Sequence, residues 1–212
     1  MPRSVAFASA LCVMLAPAAA QEDQELYDPE PPENFAFVRI IDRDGNGGAS
    51  TSFASGHFEL GEDRVSDYVG VPAGEHELSY AGGSWPLEIA AGDYVTIVAA
   101  SGEPGGPPSV LVDQPLDDPA RCGIYLYNFT NQPVSLFAPG LDAAVIEDVE
   151  PGRSGFRAVN AVTVDLEVRA GGEAVGKFEQ TSLQRRTAIS FVVFGDAGDA
   201  RAVMVENRVA RR

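Results

Sequence analysis

Along this chain apolar and polar positions alternate with a spacing of two, in short runs rich in β-branched and aromatic residues and cut by Gly, Pro, Asn and Asp. A period of two puts successive side chains on opposite faces of a strand, whereas a helix needs recurrence near 3.6. No helical segment of useful length is found. The runs predict strands over 35–42, 66–71, 75–81, 84–90, 94–100 and 109–113, and then over 122–129, 134–138, 143–149, 155–159, 161–170, 173–183, 187–195 and 201–206. Turns such as "PAGE" (72–75) and "AAGD" (90–93) join them. Short strands at this spacing predict an all-β fold of sandwiches or barrels.

The two halves of the pattern are alike. "FVRIIDRDGN" (37–46) can be laid on "GIYLYNFTNQ" (123–132), and "GDYVTIVAAS" (92–101) on "RTAISFVVFG" (186–195). A short strand closes each half, "SVLVDQ" in one and "RAVMVEN" in the other. The expectation is two consecutive small β-sandwich domains related by an internal repeat, 21–114 and 115–212. The junction falls in "QPLDDPAR" (114–121), where Pro115 and Pro119 interrupt strand pairing. The glycine–proline run 101–108 is read as a loop within the first copy.

The residues ahead of the first strand do not share the pattern. Residues 1–20 carry one Arg, an apolar run and a small-residue end, which reads as a secretory signal peptide cleaved after Ala20. The apolar run is too short to span a bilayer, and a soluble product outside the cytoplasm is expected. An acidic arm at 24–34 follows, "QELYDPEPPEN", which its prolines hold extended and unable to pair. Tyr27 and Pro29 are candidate partner contacts on it. One cysteine then remains, Cys122, opening the apolar run "CGIYLYNF", and a small buried hydrophobe accounts for it better than a nucleophile or an intermolecular disulfide.

Charge separates the halves. Residues 21–114 hold 18 acidic and 3 basic residues, net −15, while 115–212 hold 13 acidic and 11 basic, net −2. A field of the first kind repels nucleic acid and anionic lipid, so no nucleic-acid partner is expected.

Candidate chemistry is thin. A serine hydrolase or acyltransferase needs a nucleophile, a histidine base and an orienting acid. Only His57 and His76 exist, and neither a Gly-x-Ser-x-Gly elbow nor a Gly-Asp-Ser segment occurs. No catalytic residue, cofactor site or metal site is assigned. "DRDGNG" (42–47) spells the first half of a calcium loop, but the position of its closing Glu is Phe53, and a polar turn explains the same letters. Trp85 is a candidate sugar-stacking ring, the least core-like of the aromatics. Arg157, Arg185 and Arg186 are candidate contacts for a carboxylate-bearing polymer or an acidic protein face.

Taken together, the Leu26-Tyr27-x-Pro29 segment, a later proline, Phe37-Val38-Arg39 entering the first strand, and the passage from "VDQP" to "YLYN" resemble the AlgF family of alginate O-acetylation proteins. The resemblance implies two β-sandwich domains and a periplasmic accessory protein without an active site of its own. Its implied partners are a membrane-bound O-acyltransferase and SGNH-type periplasmic acetyltransferases, with an acidic polysaccharide as a further contact. The rival readings are a carbohydrate-binding module and an unrecognised acetyltransferase. Asp42, where the family's strand tends to end in Asn, departs from the pattern, as does the acidity of the first half.

Overall fold

The computed structural model describes residues 33–45, 52–53, 58–80, 83–99, 108–196 and 198–210. The signal segment, most of the acidic arm with Tyr27 and Pro29, His57 and the second part of the 42–47 turn lie outside these residues.

Among the described residues there are fifteen strands: β1 (Phe35–Asp42), β2 (Ser52–Phe53), β3 (Val69–Pro72), β4 (Gly74–Tyr80), β5 (Gly83–Ile89), β6 (Tyr94–Ala99), β7 (Ser109–Asp113), β8 (Arg121–Phe129), β9 (Val134–Ala138), β10 (Ala143–Val149), β11 (Ser154–Asn160), β12 (Thr163–Ala170), β13 (Glu173–Ser182), β14 (Ala188–Phe194) and β15 (Arg201–Glu206). Among the described residues one 3-10 turn, Pro139–Leu141, is the whole of the helical content. No described helix is long and apolar enough to cross a membrane. The two-residue β2 was too short for periodicity to reveal. The strand expected at 66–71 starts later, because Tyr68 makes an isolated bridge to Val209 and only Val69–Pro72 joins the ladder with β1.

Strands of the first half form a sheet in the order β3-β1-β6-β7 and a three-stranded sheet β2-β4-β5, while those of the second form β11-β8-β14-β15 and β10-β9-β12-β13. The repeat is visible in the pairings. β1 runs parallel to β6 with Phe37 opposite Tyr94, and β8 runs parallel to β14 with Gly123 opposite Ala188, the positions that the sequence superposition equates.

Three clusters of buried residues explain why the central strands are apolar on both faces. In β1, Ala36, Val38 and Ile40 pack in the first sandwich with Val95 and Ile97 of β6. In β8, Cys122, Ile124 and Leu126 pack in the second with Phe191 and Val193 of β14. The alternate residues form the third cluster, in which Ile41 and Val98 of the first half meet Tyr125, Tyr127, Phe129, Val192 and Phe194 of the second. The outer faces of two sandwich sheets are thus packed on each other, and their strands are buried on both sides, as near-continuous apolar runs require. Residues 31–212 form one compact unit. The C-terminal segment also crosses back, since Tyr68 N–H donates to Arg208 O (2.8 Å) and Ala210 N–H to Tyr68 O (2.7 Å). Ala210 then packs against the first core.

Cys122 is fully buried in the second core, with Sγ 3.5 Å from the Thr187 hydroxyl. Burial pushes its thiol up, so it is a packed side chain and not an activated thiolate.

Candidate functional site

The one arginine inside β1 has no exposure to speak of: Arg39 is 1% exposed, on the strand face turned toward the second sandwich. A buried cation is tolerated only with a full set of acceptors. Arg39 Nε donates to Thr96 Oγ1 at 3.0 Å and Nη1 to Asn207 Oδ1 at 3.0 Å. Nη2 donates to Tyr127 Oη at 2.7 Å and to Ser190 Oγ at 3.0 Å. The guanidinium also lies 4.6 Å from the ring centroid of Tyr68 and 5.0 Å from that of Tyr127.

The counter-charge is Asp113, 3% exposed at the end of β7. It accepts three hydroxyls: Thr96 at 2.5 Å and Tyr68 at 2.9 Å on Oδ2, and Tyr127 at 2.5 Å on Oδ1. Thr96 and Tyr127 each accept from the arginine and donate to the aspartate, so hydroxyls bridge the two charges. The internal repeat recurs here. Thr96 donates to Asp113 in the first half, and at the superposed position Ser190 donates to Asn207 Oδ1 at 2.7 Å in the second. Asn207 N–H pairs with Ala188 O just as Asp113 lies opposite Tyr94. One charge in four corners differs between the copies, and Arg39, whose counterpart is Tyr125, fills the centre.

The electrostatics follow from enclosure. Burial works against the Arg39 charge, yet the phenols of Tyr127 and Tyr68 and the Asp113 carboxylate outweigh it, and the group holds its proton above the ordinary value. Burial pushes the phenols of Tyr68 and Tyr127 well up, only partly opposed by Arg39, so both stay protonated as donors. Tyr125 is raised for the same first reason, with Asp113 adding to it. Folded-state values above the unfolded value of about 10 mean that stability is intact below that pH and is lost as pH rises past it, where the unfolded phenols release protons and the folded ones do not. The urea midpoint should therefore fall steeply above about pH 10, and Tyr127→Phe should reduce the slope; a flat alkaline limb would contradict this account of Arg39, Asp113 and their hydroxyls as a buried polar lock between the sandwiches.

Over the lock opens a cleft of about 420 Å3. Tyr68 and Tyr94 of the first half, Tyr125, Arg186 and Asn207 of the second, and Pro115 of the junction line it. At another edge of the interface Arg43 and Arg64 share a polar depression with Phe129, Phe194 and Arg201, Arg64 lying 5.6 Å from the Phe194 ring centroid. All three basic residues of 21–114 thus face the second sandwich.

The residues singled out in the sequence do not come together. Arg186 lines the cleft and its neighbour Arg185 is exposed on the same loop. Arg157 lies on β11, donating to Val145 O at 2.9 Å and Ala144 O at 3.3 Å. Trp85 is half-buried against the first core, its ring folded over Gly83, where a Cβ would come within 2.2 Å of it. Tyr125, Tyr127 and Phe129 stack along β8 with centroids 6.4 Å apart at each step, and the first sandwich covers them. His76 Nε2 is 2.6 Å from Pro72 O and its ring packs on Phe53, so that nitrogen is committed to a carbonyl. Asp42 Oδ1 accepts the Gly45 N–H at 2.9 Å, as a polar turn does. In the sequence Arg39 is marked only as the third residue of the Phe37-Val38-Arg39 segment. The missed signal was a charge in the interior of an apolar strand, which has to have buried partners.

The architecture is that of an all-β protein of two sandwiches, closed on each other through a buried polar lock. The particular family follows from comparison: residues 9–190 match the family described as "Alginate O-acetyl transferase AlgF", and the chain belongs to that family. It is 28% identical over 204 residues to alginate biosynthesis protein AlgF of Pseudomonas aeruginosa, covering 95% of this chain and 93% of that protein. The AlgF of Pseudomonas putida is 24% identical over 208 residues, 98% of this chain and 95% of that protein, and that of Azotobacter vinelandii 25% over 189 residues, 88% and 85%. A solved structure of the C-terminal domain of AlgF from P. aeruginosa aligns with 42% of this chain and 99% of that domain at 24% identity, with a TM-score of 0.38.

Proposed function

We propose that this protein is a non-catalytic periplasmic adaptor in the O-acetylation of alginate or a similar exported uronate polymer, linking a membrane-bound O-acyltransferase to an SGNH-type acetyltransferase. Membership of a family named for alginate O-acetylation supports the pathway. The observation that carries the adaptor reading is the orientation of the charges. The buried polar groups at the interface are spent on holding the sandwiches together: Arg39 is enclosed there, and Arg43 and Arg64 stand in the depression at the interface edge beside Phe129 and Phe194. Away from that edge the first sandwich carries acidic charge, suited to steering a basic protein surface and unsuited to an anionic polymer.

Two measurements test this. Association of the full mature chain with the acetyltransferase should slow about tenfold or more from low to high salt, mostly in the on-rate, since rim charges act on encounter. Salt-independent association would remove the electrostatic division of labour. Turnover of an acetyl ester by the purified chain, abolished by His76→Ala or His57→Ala, would overturn the non-catalytic reading itself.

A further inference from the structure

Met204 is 38% exposed although it stands opposite Phe191 of β14, on the face of the sheet that builds the second core. Residues directly opposite in a ladder share a face, so the sheet across the core should cover Met204 as it covers Phe191. It does not, because its edge strand β13 turns away. At Gly176 the edges of β13 and β15 touch, and a Cβ there would lie 2.7 Å from Ala202 Cβ. Farther along, Glu179 and Gln180 of β13 stand against the single residue Asp165 of β12. Gln180 has φ +50°, and its N–H donates to Asp165 Oδ1 at 2.8 Å. Such a bulge bends the strand that carries it. Between β13 and β15 a groove of about 430 Å3 opens, lined with Phe178, Ile189 and Met204.

The two walls of the groove differ as strand edges. β13 is blunted by its bulge and by Lys177, devices that keep edge strands from pairing. β15 is not, and its register with β14 runs unbroken from Arg201 to Glu206. Asn207 N–H donates to Ala188 O at 2.8 Å. Because main-chain groups point alternately to either side of a strand, those of Met204 and Glu206 point away from β14 and into the groove. β15 is the last strand of its sheet, and among the described residues nothing pairs with them on that side. One step farther on, Arg208 O accepts the Tyr68 N–H at 2.8 Å, so this edge already takes main-chain pairing where another strand reaches it.

Unpaired main-chain donors and acceptors beside an apolar lining match an extended peptide, whose backbone continues the ladder while alternate side chains enter the groove. The rim sets the sign of the flanking charge. Glu206 is paired with Arg208, whereas Glu179 is exposed with no ion pair among the described residues, so a lysine or arginine suits it. We propose that this groove is a docking site for an extended segment of a partner protein, which pairs by its backbone with Met204 and Glu206, lays an aliphatic side chain on Phe178, Ile189 and Met204, and sets a basic side chain beside Glu179. The inference rests on the adaptor reading only in taking the occupant to be a protein. It gives the adaptor a docking surface on the second sandwich, apart from the acidic face of the first.

The test is amide hydrogen exchange, followed by NMR on the full mature chain, with a short peptide of alternating valine and threonine that carries a lysine at each end. Saturable binding should slow exchange of the Met204 and Glu206 amides about tenfold or more. Methylating every backbone nitrogen of the peptide should abolish the effect, since the ladder is then blocked. Binding should weaken about tenfold in Met204→Arg, which sets a charge in the apolar lining and against the lysines, and about threefold when the peptide ends in glutamates. Position 204 is partly exposed, and an unchanged melting temperature shows that the variant folds. Leu141→Arg, at an exposed turn elsewhere, should bind as the parent does. No saturable binding, protection elsewhere on the chain, or indifference to the methylated nitrogens would each overturn the site. So would a dimer of the unliganded chain that Met204→Arg dissolves, because the occupant would then be a second copy. Association of the parent chain with the acetyltransferase tests the adaptor reading by itself, so the two can fail separately.

Discussion

Arg39→Met is expected to destabilise the protein by about 3–5 kcal/mol, the range for removing one partner of a buried charge network. At roughly 2–4 °C per kcal/mol for a chain of this size, that is about 10 °C in melting temperature. The argument is one of orphaned groups. The substitution removes donors from Thr96, Asn207, Tyr127 and Ser190 at once and leaves Asp113 buried without its counter-charge. Arg39→Lys should recover only part of the loss, because an ammonium cannot reach four acceptors laid out for a planar fork. Adding Asp113→Asn to Arg39→Met should cost less than Asp113→Asn does alone, since the carboxylate it removes has already lost its cation. A loss below about 1 kcal/mol for Arg39→Met, measured by urea unfolding, would show that the network is solvated or dispensable.

The second expected result is a single unfolding transition for both sandwiches. The chain has one tryptophan, Trp85, and it sits in the first sandwich, so its fluorescence reports that half while far-ultraviolet dichroism reports both. The two curves should coincide, because separating the sandwiches exposes an apolar face on each and strips Arg39 of Tyr127, Ser190 and Asn207. We propose that 21–114 and 115–212 are the two sandwiches of one cooperative unit, and that isolated 21–114 fails to hold a native fold. In Arg39→Met the Trp85 curve should move to lower urea than the dichroism curve. A Trp85 midpoint already separate in the parent protein, or a cooperatively unfolding 21–114 fragment, would mean that the interface contributes little to either half.

The sequence alone determined most of the secondary structure, because a strand's period of two is a local property written in consecutive residues. It determined the repeat for the same reason: "FVRIID" against "GIYLYN" and "DYVTIV" against "TAISFV" have matching patterns, and the structure gives them matching parallel pairings. The turn at Asp42 and the burial of Cys122 were also legible, being set by neighbours in sequence.

What covers each face was not. Period two says that Arg39 and Ile41 share a side of β1, but not that the side meets Tyr127 and Phe194 of the other sandwich. Arg39 finds its acceptors 57, 88, 151 and 168 positions away, contacts that exist only once two sheets are stacked. Tyr125, Tyr127 and Phe129 share one face of β8, and only the stacking of the first sandwich on that face puts their rings in a core. The cleft arises in the same way, from rings at 94 and 125, an arginine at 186 and an amide at 207. Local pattern fixes which residues point together, and long-range packing fixes what they point at.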